Sequence, residues 1–494
     1  MVFQNDILAG SSGASGTSTT VHTIGQSIRF NDDDNAVLSR TISSTSSTTT
    51  NTISMWVKRG NLGNSRSGSG SDVLGQTLFQ SGRNASNFFE VNFGGTTAGA
   101  IGTSENALRI SSITGDSIIM KLNTTAIFRD TSAWYNIVAV VDTTNDVASE
   151  RLRLYVNGNR QTDFTSTTFP SKDTETELFR NTSNVLSVGA WVNPSESVRY
   201  FDGYMAEITV INGQALDPSS FGLYNDSNIW IPKDVSGLTF GTNGFHLKGE
   251  TASDLGNDSS SNNNDFTTSG LASHDQVTDT PTDNFCTLNP LDERGSGTLS
   301  NGDLQMAFGA TNDNVTGTLG MSSGKWYWEV YIVDKDDPYV GVQDSGVAST
   351  GYTVNAVALW VDGGYVYENN SDTGDRSTTY TNGDIVGVAF DVDNKKIWWS
   401  KNGQWYSADD SSTATINISE VIAGNQAQVI TRSPGFFIPF VGNYNTGTVI
   451  MNFGQEGTFA GNVTAGNNTD GDGNGNFKYT VPTGFKTLKA SNIY

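Results

Sequence analysis

The sequence has little of what disulfide frameworks, metal sites and membrane spans require. Its 494 residues include one cysteine, Cys286, so neither an intrachain disulfide nor a cysteine-rich zinc site can form. Its three histidines, His22, His246 and His274, lie far apart in sequence and form no H-E-x-x-H or similar pattern. No stretch approaches the ~20 consecutive apolar residues that a transmembrane helix needs. The N-terminus also lacks the basic start and apolar core of a signal peptide, so we expect no membrane insertion.

Basic residues are scarce as well. There are 28 Lys and Arg against 51 Asp and Glu, which gives a formal net charge of −23. An acidic surface repels phosphate backbones, so we expect no nucleic-acid partner. Charged residues are only 16% of the chain, and the polar surface must therefore come largely from Ser, Thr, Asn and Gly. Aromatic residues reach 10%, which is typical of a chain with packed cores rather than a disordered one.

Stretches that favour helices are few, because Ser, Thr, Asn, Asp and Gly interrupt nearly every window. The best helix candidates are Asp217–Tyr224 and Ile418–Ala423. Short β-branched and aromatic runs closed by turn residues are much commoner. Ile137–Asp142 and Leu152–Val156 are examples, and the second is followed by the tight-hairpin dipeptide Asn157-Gly158. This spacing predicts an all-β protein made of antiparallel sandwiches.

Composition divides the chain into five segments. The N-terminal arm is rich in Gly, Ser and Thr, and two β-rich modules are separated by a segment rich in Asp, Ser and Asn. The end of the chain is rich in Gly and Asn. The predicted organisation is an arm at 1–20, a sandwich at 21–232, an irregular linker at 233–297, a second sandwich at 298–460 and a tail at 461–494.

The arm contains one apolar cluster. Its composition is that of a disordered terminus, which is one interpretation. The other is an anchor that becomes ordered only against a partner. Under that interpretation, the residues buried against the partner are Val2, Phe3, Ile7 and Leu8.

The first module resembles a known family. Residues 134–158 read WYNIVAVVDTTNDVASERLRLYVNG, residues 201–222 read FDGYMAEITVINGQALDPSSFG, and Met55–Arg59 resembles an early strand of the same fold. These segments resemble the laminin-G-like, concanavalin A-like jelly roll, with its W-x-x-V-A strand and closing F-D-G-x-x-x-E strand. The resemblance implies a carbohydrate or protein binder, sometimes with calcium and occasionally a glycoside hydrolase.

The second module resembles a SPRY domain, which is another concanavalin A-like sandwich. The segments that carry the resemblance are Gly324–Val330 (GKWYWEV), Asn382–Phe390 (NGDIVGVAF), Asp391–Trp405 (DVDNKKIWWSKNGQW) and Phe436–Val441 (FFIPFV). The resemblance implies a binding scaffold whose loops select protein or peptide partners. The expected fold is thus two concanavalin A-like antiparallel sandwiches in tandem, joined by the linker.

The chain as a whole resembles virion structural proteins of marine tailed phages. The similar phrases are FQNDILAGSSGASG, IWIPKDVSGLTFGTNGFHLK, DQVTDTPTDNFCTLNPL and VPTGFKTLKASNI. The resemblance implies a tail fibre or appendage that attaches to the host surface, is located in the virion and is assembled in the bacterial cytoplasm. Its expected partners are capsid or tail proteins and a host surface glycan or protein. By analogy with fibres we expect a homo-oligomer, with a trimer favoured.

Two other functions remain open. One is a capsid decoration or head-fibre protein that binds the shell without a host ligand. The other is a depolymerase acting on cell-surface glycan. Against the enzyme, no glutamate begins the E-x-D-x-x-E pattern that places paired carboxyl groups on one strand face, and no G-x-S-x-G elbow occurs. Glu207 has no such partner, and Glu175 and Glu177 are interpreted as solvated loop charges. We therefore expect no catalytic residue.

One segment offers alternating oxygen ligands for a cation. Asp470, Asp472 and Asn474 lie in DGDGNGN and could serve calcium, which would be the protein's sole cofactor. The pattern then departs from an EF-hand loop, because Lys478 and Val481 occupy the ninth and twelfth positions. A turn rich in Asp, Asn and Gly gives the same string without a metal.

Three aromatic residues near predicted loops are candidates for stacking on sugar rings. They are Trp191, Tyr339 and Trp405. The sequence contains nothing that distinguishes them from ordinary aromatic residues at the rim of a sandwich.

Overall fold

The computed structural model describes residues 22–62, 75–95, 105–193, 196–309, 312–344, 353 and 355–493. They form two compact units, the first ending at Thr282 and the second beginning at Asp283. Antiparallel strands dominate both units, which confirms the all-β prediction. Within these ranges no helix is long and apolar enough to cross a bilayer. The proposed anchor residues Val2, Phe3, Ile7 and Leu8 lie outside the described residues.

Unit 1 contains short strands and four single-turn 3₁₀ helices in its described part. The 3₁₀ helices are Asp32–Asp34, Ala148–Glu150, Pro218–Ser220 and Ser273–Asp275. The strands are β1 (Ser27–Phe30), β2 (Val37–Thr41), β3 (Thr50–Arg59), β4 (Gly75–Asn84), β5 (Asn87–Gly94), β6 (Ala107–Thr114), β7 (Ser117–Ile127), β8 (Trp134–Asp142), β9 (Leu152–Val156), β10 (Asn159–Arg160), β11 (Phe164–Thr168), β12 (Val185–Val188), β13 (Trp191–Asn193), β14 (Glu196–Val198), β15 (Gly203–Asn212), β16 (Gly222–Tyr224), β17 (Trp230–Pro232), β18 (Phe245–Leu247), β19 (Thr267–Ser269) and β20 (Gln276–Val277).

Two large sheets pack face to face in unit 1. The first has the order β10-β9-β8-β3-β15-β1-β20, with β18 also pairing with β15, and the second has the order β11-β7-β6-β5-β4-β12-β2-β19. The core lies between them because alternate residues of each strand point to one face. In β3 these residues are Ile53, Met55 and Val57, which pack against Phe89 and Val91 of β5 and other apolar residues of the same cluster.

The predicted hairpin between β9 and β10 is present. Asn157 and Gly158 adopt positive φ values of 48° and 75°, the left-handed conformation that a two-residue hairpin turn needs. The helix expected at Asp217–Tyr224 is reduced to the 3₁₀ turn Pro218–Ser220, after which Gly222–Tyr224 continues as β16. The chain here pairs with β17 instead of extending a helix.

The segment predicted as an irregular linker, 233–297, differs from the prediction. It supplies β18, β19 and β20, which pair with β15, β2 and β1 of the first sandwich. The boundary between the compact units falls at Thr282, about the middle of this segment and not at its start. Short strands separated by Asp, Ser and Asn lack a periodic signal in sequence, because their pairing partners are at least 35 residues away.

Unit 2 has the same character. Its helices are α1 (Ile418–Ala423), as predicted, and α2 (Ala490–Ile493). Its strands are β21 (Thr298–Ser300), β22 (Gln305–Phe308), β23 (Asn314–Thr316), β24 (Lys325–Asp334), β25 (Pro338–Asp344), β26 (Ala356–Trp360), β27 (Tyr365–Glu368), β28 (Ser371–Arg376), β29 (Ile385–Asp391), β30 (Lys396–Lys401), β31 (Gln404–Tyr406), β32 (Thr415–Ile416), β33 (Gln428–Val429), β34 (Phe437–Asn443), β35 (Gly447–Asn452) and β36 (Lys486–Thr487).

Two sheets enclose the core of unit 2. One has the order β21-β22-β35-β24-β29-β30-β31-β32, with β33 on β30 and β36 on β24, and the other has the order β23-β34-β25-β26-β27-β28. Trp328 and Val330 of β24 and Trp399 of β30 point into the core between the sheets. Tyr327 and Trp398 point to the opposite face, as the alternation of adjacent residues requires.

The predicted tail also differs from the expectation, because its second half packs against the larger sheet. Phe477, Val481 and Phe485 are buried against Tyr327 and Trp398 on the outer face of the larger sheet. We call residues 477–489 the C-terminal strap. Its strand β36 pairs in parallel with β24. The glycine-rich composition of the tail did not predict this ordered segment.

Candidate binding site

Four loops of unit 2 meet at one end of its sandwich. Each connects or precedes a strand of the two sheets, so the strands fix where the loops begin and end. We call these loops together the loop end, and they comprise residues 334–337, 361–364, 381–383 and 444–446.

Hydrogen bonds between the loops hold the loop end together. Asp337 accepts hydrogen bonds from the Trp360 indole N–H at 2.9 Å and from the Asn445 side-chain amide at 2.7 Å. Asp336 accepts one from the Thr446 hydroxyl at 2.6 Å, and the backbone N–H of Lys335 donates to the Asn382 side chain at 2.9 Å. Three of these bonds join different loops and the fourth ties a loop to β26, so the surface is preorganised.

The loop end is acidic. It carries four aspartates and one lysine, and that lysine, Lys335, forms an ion pair with Asp362 that raises the lysine pKa. Tyr444 is 49% exposed beside these charges. An open cavity of about 460 Å³ is lined by Asp334, Lys335, Asp336, Asp362, Thr381 and Asn382. Carboxylate, amide and hydroxyl groups arranged in this way suit a basic or hydroxyl-rich partner surface.

An aromatic row runs from the loop end across the smaller sheet. Tyr339, Trp360, Tyr365 and Arg376 are direct cross-strand neighbours on β25, β26, β27 and β28. The first two rings stack with centroids 6.3 Å apart, the second and third at 5.5 Å, and the Arg376 guanidinium lies 4.1 Å from the Tyr365 ring. The ring faces are therefore occupied by one another, and a ligand at this surface would meet ring edges and the acidic loops.

The three aromatic residues proposed for stacking have different positions. Tyr339 is the buried inner member of the aromatic row. Trp191 is 2% exposed and packs edge-on against Phe88, and Trp405 is buried beside Tyr327. Neither tryptophan presents a face on which a sugar ring could stack. The sequence alone did not identify Trp360, which the strand pairing places between two other rings.

Unit 1 contains a second polar cluster, centred on Glu207. A bulge in β15 gives Glu207 a φ of 51°, which turns its carboxylate toward two histidines that are distant in sequence. The carboxylate lies 2.6 Å from His246 Nε2 and 3.8 Å from His22 Nε2. The His246 ring stacks on Phe240 with centroids 6.0 Å apart. Only the F-D-G-x-x-x-E pattern pointed to Glu207 in sequence, and nothing there indicated its partners.

Glu207 and His22 shift each other's pKa. Burial opposes ionisation of Glu207, but the interactions of its carboxylate with His22 and His246 outweigh it and lower the Glu207 pKa to about 2. The nearby Glu207 carboxylate raises the pKa of His22, against the effect of burial. The ionised Glu207 carboxylate therefore connects the segment before β1 to β15 and β18. We interpret the cluster as a stabilising contact between these segments.

The proposed calcium ligands form a compact turn. Asp470 Oδ1 accepts the backbone N–H groups of Asp472 at 3.0 Å and Asn474 at 2.9 Å, and Oδ2 accepts that of Thr487 at 3.0 Å. Asp472 instead points to Lys486, and the Asn474 side-chain oxygen accepts from Lys489. Across the described ranges, no group of three or more His, Cys, Asp or Glu residues is placed to hold a metal ion. This geometry favours the turn interpretation.

The loop glutamates differ from the sequence interpretation in one case. Glu175 is exposed, but Glu177 is fully buried. Its carboxylate accepts hydrogen bonds from the Thr114 hydroxyl at 3.0 Å and Arg180 at 3.2 Å, with Arg83 3.8 Å away. It is a buried ion-pair centre that ties the loop to the sheet, which the polar sequence around it did not reveal.

Family models match both units. Residues 30–220 match the concanavalin A-like lectin/glucanases superfamily model (Laminin_G_3), and residues 325–456 match the SPRY domain model. Neither match includes the segments 221–282, 283–324 or 457–493, each of which contributes strands to one of the units.

Solved structures similar to this chain include SPRY domains and a pentraxin. The SPRY domain of human HERC1 is 18% identical, covers 33% of this chain and 96% of its own, and has a TM-score of 0.27. The SAP-like pentraxin from Limulus polyphemus is 12% identical, covers 40% of this chain and 80% of its own, and has a TM-score of 0.28. The TRIM65 PSpry domain is 15% identical, covers 34% and 91%, and has a TM-score of 0.25. From the family matches and the two sandwiches, this chain carries a laminin-G-like, concanavalin A-like module followed by a SPRY domain.

Proposed function

We propose that this protein is a non-enzymatic phage virion structural protein, a tail fibre or appendage that presents two binding modules to a host surface. Support comes from the resemblance of the whole chain to virion proteins and from its two binding-type folds. The observation that carries the binding role is the loop end of unit 2. It is a preorganised acidic surface with Tyr444 exposed.

The proposed partner of the loop end is a basic or hydroxyl-rich host surface component. Four aspartates attract such a partner and orient it during encounter, whereas ring edges and Tyr444 supply apolar contact area. A protein or a glycan meets this description, and a glycan array compared with binding to whole host cells distinguishes them. The acidic charge also keeps neighbouring appendages on one particle apart.

A double variant of the loop end tests whether this surface binds the host. Asp336→Lys combined with Tyr444→Ser removes one loop-end carboxylate and the exposed ring without touching the core. We expect host-cell binding, measured by flow cytometry with labelled protein, to fall at least tenfold. Asp226→Lys, at an exposed position of unit 1, is the matched charge control and should leave binding unchanged. Equal binding by the loop-end variant and wild type would place the contact elsewhere.

The location in the particle is tested separately. Labelled antibody viewed by electron microscopy should mark the tail or an appendage, and a copy number matching the shell subunits would favour capsid decoration instead. Deleting residues 1–16 should abolish incorporation while leaving soluble, folded protein. Normal incorporation of the truncated protein would refute the anchoring role of the arm. We expect no release of reducing sugar from host envelope, and release would favour the depolymerase.

A further inference from the structure

A row of cationic and aromatic side chains crosses the outer face of the first sheet in unit 1. Arg29, Tyr204, Lys58 and Trp134 are direct cross-strand neighbours on β1, β15, β3 and β8. They point away from the sandwich core, because the core-facing residues of β3 are Ile53, Met55 and Val57. Yet the Arg29 and Lys58 side chains are both fully buried.

The last segment of unit 1 covers this row. Asp275 accepts hydrogen bonds from Arg29 Nε at 3.3 Å and from a terminal nitrogen of Arg29 at 3.1 Å. Four residues later, Asp279 Oδ2 accepts from Lys58 Nζ at 2.7 Å, and Oδ1 accepts from the Trp134 indole N–H at 3.1 Å. Two carboxylates thus hold residues 275–279 across two buried cations.

The surroundings of the second pair are apolar. Tyr204 and Trp134 flank Lys58 on either side, with the ammonium 5.8 Å from the Tyr204 ring centroid. Asp279 is fully buried, and both rings belong to one buried cluster that includes Val277. The 2.7 Å hydrogen bond from Lys58 Nζ to Asp279 Oδ2 provides the path for transfer of one proton from the ammonium to the carboxylate.

We propose that Lys58 and Asp279 are joined by an intramolecular isopeptide bond. After the proton transfer, the neutral Nζ attacks the Asp279 side-chain carbonyl carbon, Cγ, and a C–N bond forms. A C–O bond then breaks, and the hydroxyl leaves with a proton from nitrogen as one molecule of water. The product is a secondary amide, and no oxidant, reductant or cofactor takes part.

The geometry supports this condensation in two ways. A contact of 2.7 Å between Nζ and a carboxyl oxygen holds the nucleophile beside the carbon it would attack. The Trp134 N–H lies 3.1 Å from the other oxygen, where negative charge develops in the tetrahedral intermediate. The Arg29–Asp275 pair nearby is an internal comparison, because a guanidinium remains protonated and does not act as the nucleophile.

The bond would have a mechanical consequence. It would connect the centre of the first sheet to residue 279, three residues before unit 1 ends at Thr282. A pulling force applied to the chain at that boundary would then be transmitted to β3 through the covalent bond. Residues 275–279 would therefore stay attached to the sheet under that force. Such a closed loop also restricts the unfolded chain.

Mass spectrometry of the full-length wild-type protein is the test. We expect the denatured protein to be lighter than its sequence mass by one water, and a proteolytic digest to contain a linked pair of peptides with Lys58 in one and Asp279 in the other. The linked pair is decisive, because dehydration at an Asp-Gly step such as Asp202-Gly203 also removes water. Recovery of the two peptides only as separate, unmodified species overturns the proposal.

Two variants give the chemical control. Lys58→Arg keeps the positive charge but not the nucleophile, so the linked pair should be absent. Asp275→Asn leaves Lys58 and Asp279 in place, so the linked pair should persist. A linked pair that survives Lys58→Arg would assign the cross-link to other residues and refute the assignment. If a variant fails to fold, the wild-type digest alone still decides.

Discussion

The buried carboxyl group of Glu329 makes a quantitative prediction about unit 2. Glu329 lies on β24 beneath the C-terminal strap and is fully buried. Its two oxygens accept the backbone N–H groups of Lys478 and Tyr479, both at 2.8 Å, and the Tyr327 hydroxyl donates to it at 2.9 Å. It is therefore the polar attachment point of the strap on an otherwise apolar face.

Burial dominates the ionisation of Glu329. Desolvation raises its pKa from 4.5 to about 7, against the opposing effect of the hydrogen bonds it accepts. Between these two values the folded protein binds a proton that the unfolded chain has released, so stability falls as the pH rises from 4.5 to about 7. At about 1.4 kcal/mol per pH unit, the difference is about 3 kcal/mol.

Amide hydrogen exchange measures this locally. We expect the amides of Lys478 and Tyr479 to exchange faster relative to the intrinsic rate at about pH 8 than at about pH 5, because ionised Glu329 weakens the strap. Glu329→Gln cannot ionise and should lose this pH dependence, whereas Glu250→Gln, exposed in unit 1, should retain it. An unchanged pH dependence in Glu329→Gln would refute the assignment.

Three further predictions concern individual side chains. Phe485→Ala empties a buried site under the strap and should cost about 3–5 kcal/mol in urea unfolding, whereas Phe436→Ala, 42% exposed, should change it by under about 0.5 kcal/mol. Because the Glu207 pKa is about 2, unit 1 should lose stability as pH falls from 4.5 to about 2. In Glu207→Gln the melting temperature should fall less between these two pH values than in the wild type. An equal fall in both proteins would contradict the prediction. Calcium should not raise the melting temperature, because the Asp470 carboxylate already accepts three backbone N–H groups, and a rise abolished by Asp470→Ala would contradict this.

Local sequence patterns predict much of the fold. The run Ile137–Asp142 predicts a strand from its β-branched residues, and it lies within β8. The turn at Asn157-Gly158 follows from the conformations those residues tolerate, and Ile418–Ala423 forms the expected helix. These features depend on neighbours within a few residues, so the sequence displays them directly.

Contacts between distant segments were not predictable in the same way. Glu177 looked like a solvated loop charge, but Arg83 and Arg180 surround it in the fold. Glu207 had no visible partner until a strand bulge turned it toward His22 and His246. Apart from the Glu177–Arg180 pair, each of these contacts joins residues that lie tens to hundreds of positions apart, which no local periodicity encodes.

Composition and local patterns are enough to establish a tandem of antiparallel sandwiches with an acidic, cysteine-poor surface. The place of the segments 233–282 and 461–493 in the folded units emerges from the three-dimensional fold alone. Polar segments of low periodicity gain stability by covering sheet faces that other parts of the chain create, and those faces are absent from the local sequence. The contact between Asp279 and Lys58 and the contact between the strap and Glu329 can form only after the sheets have formed.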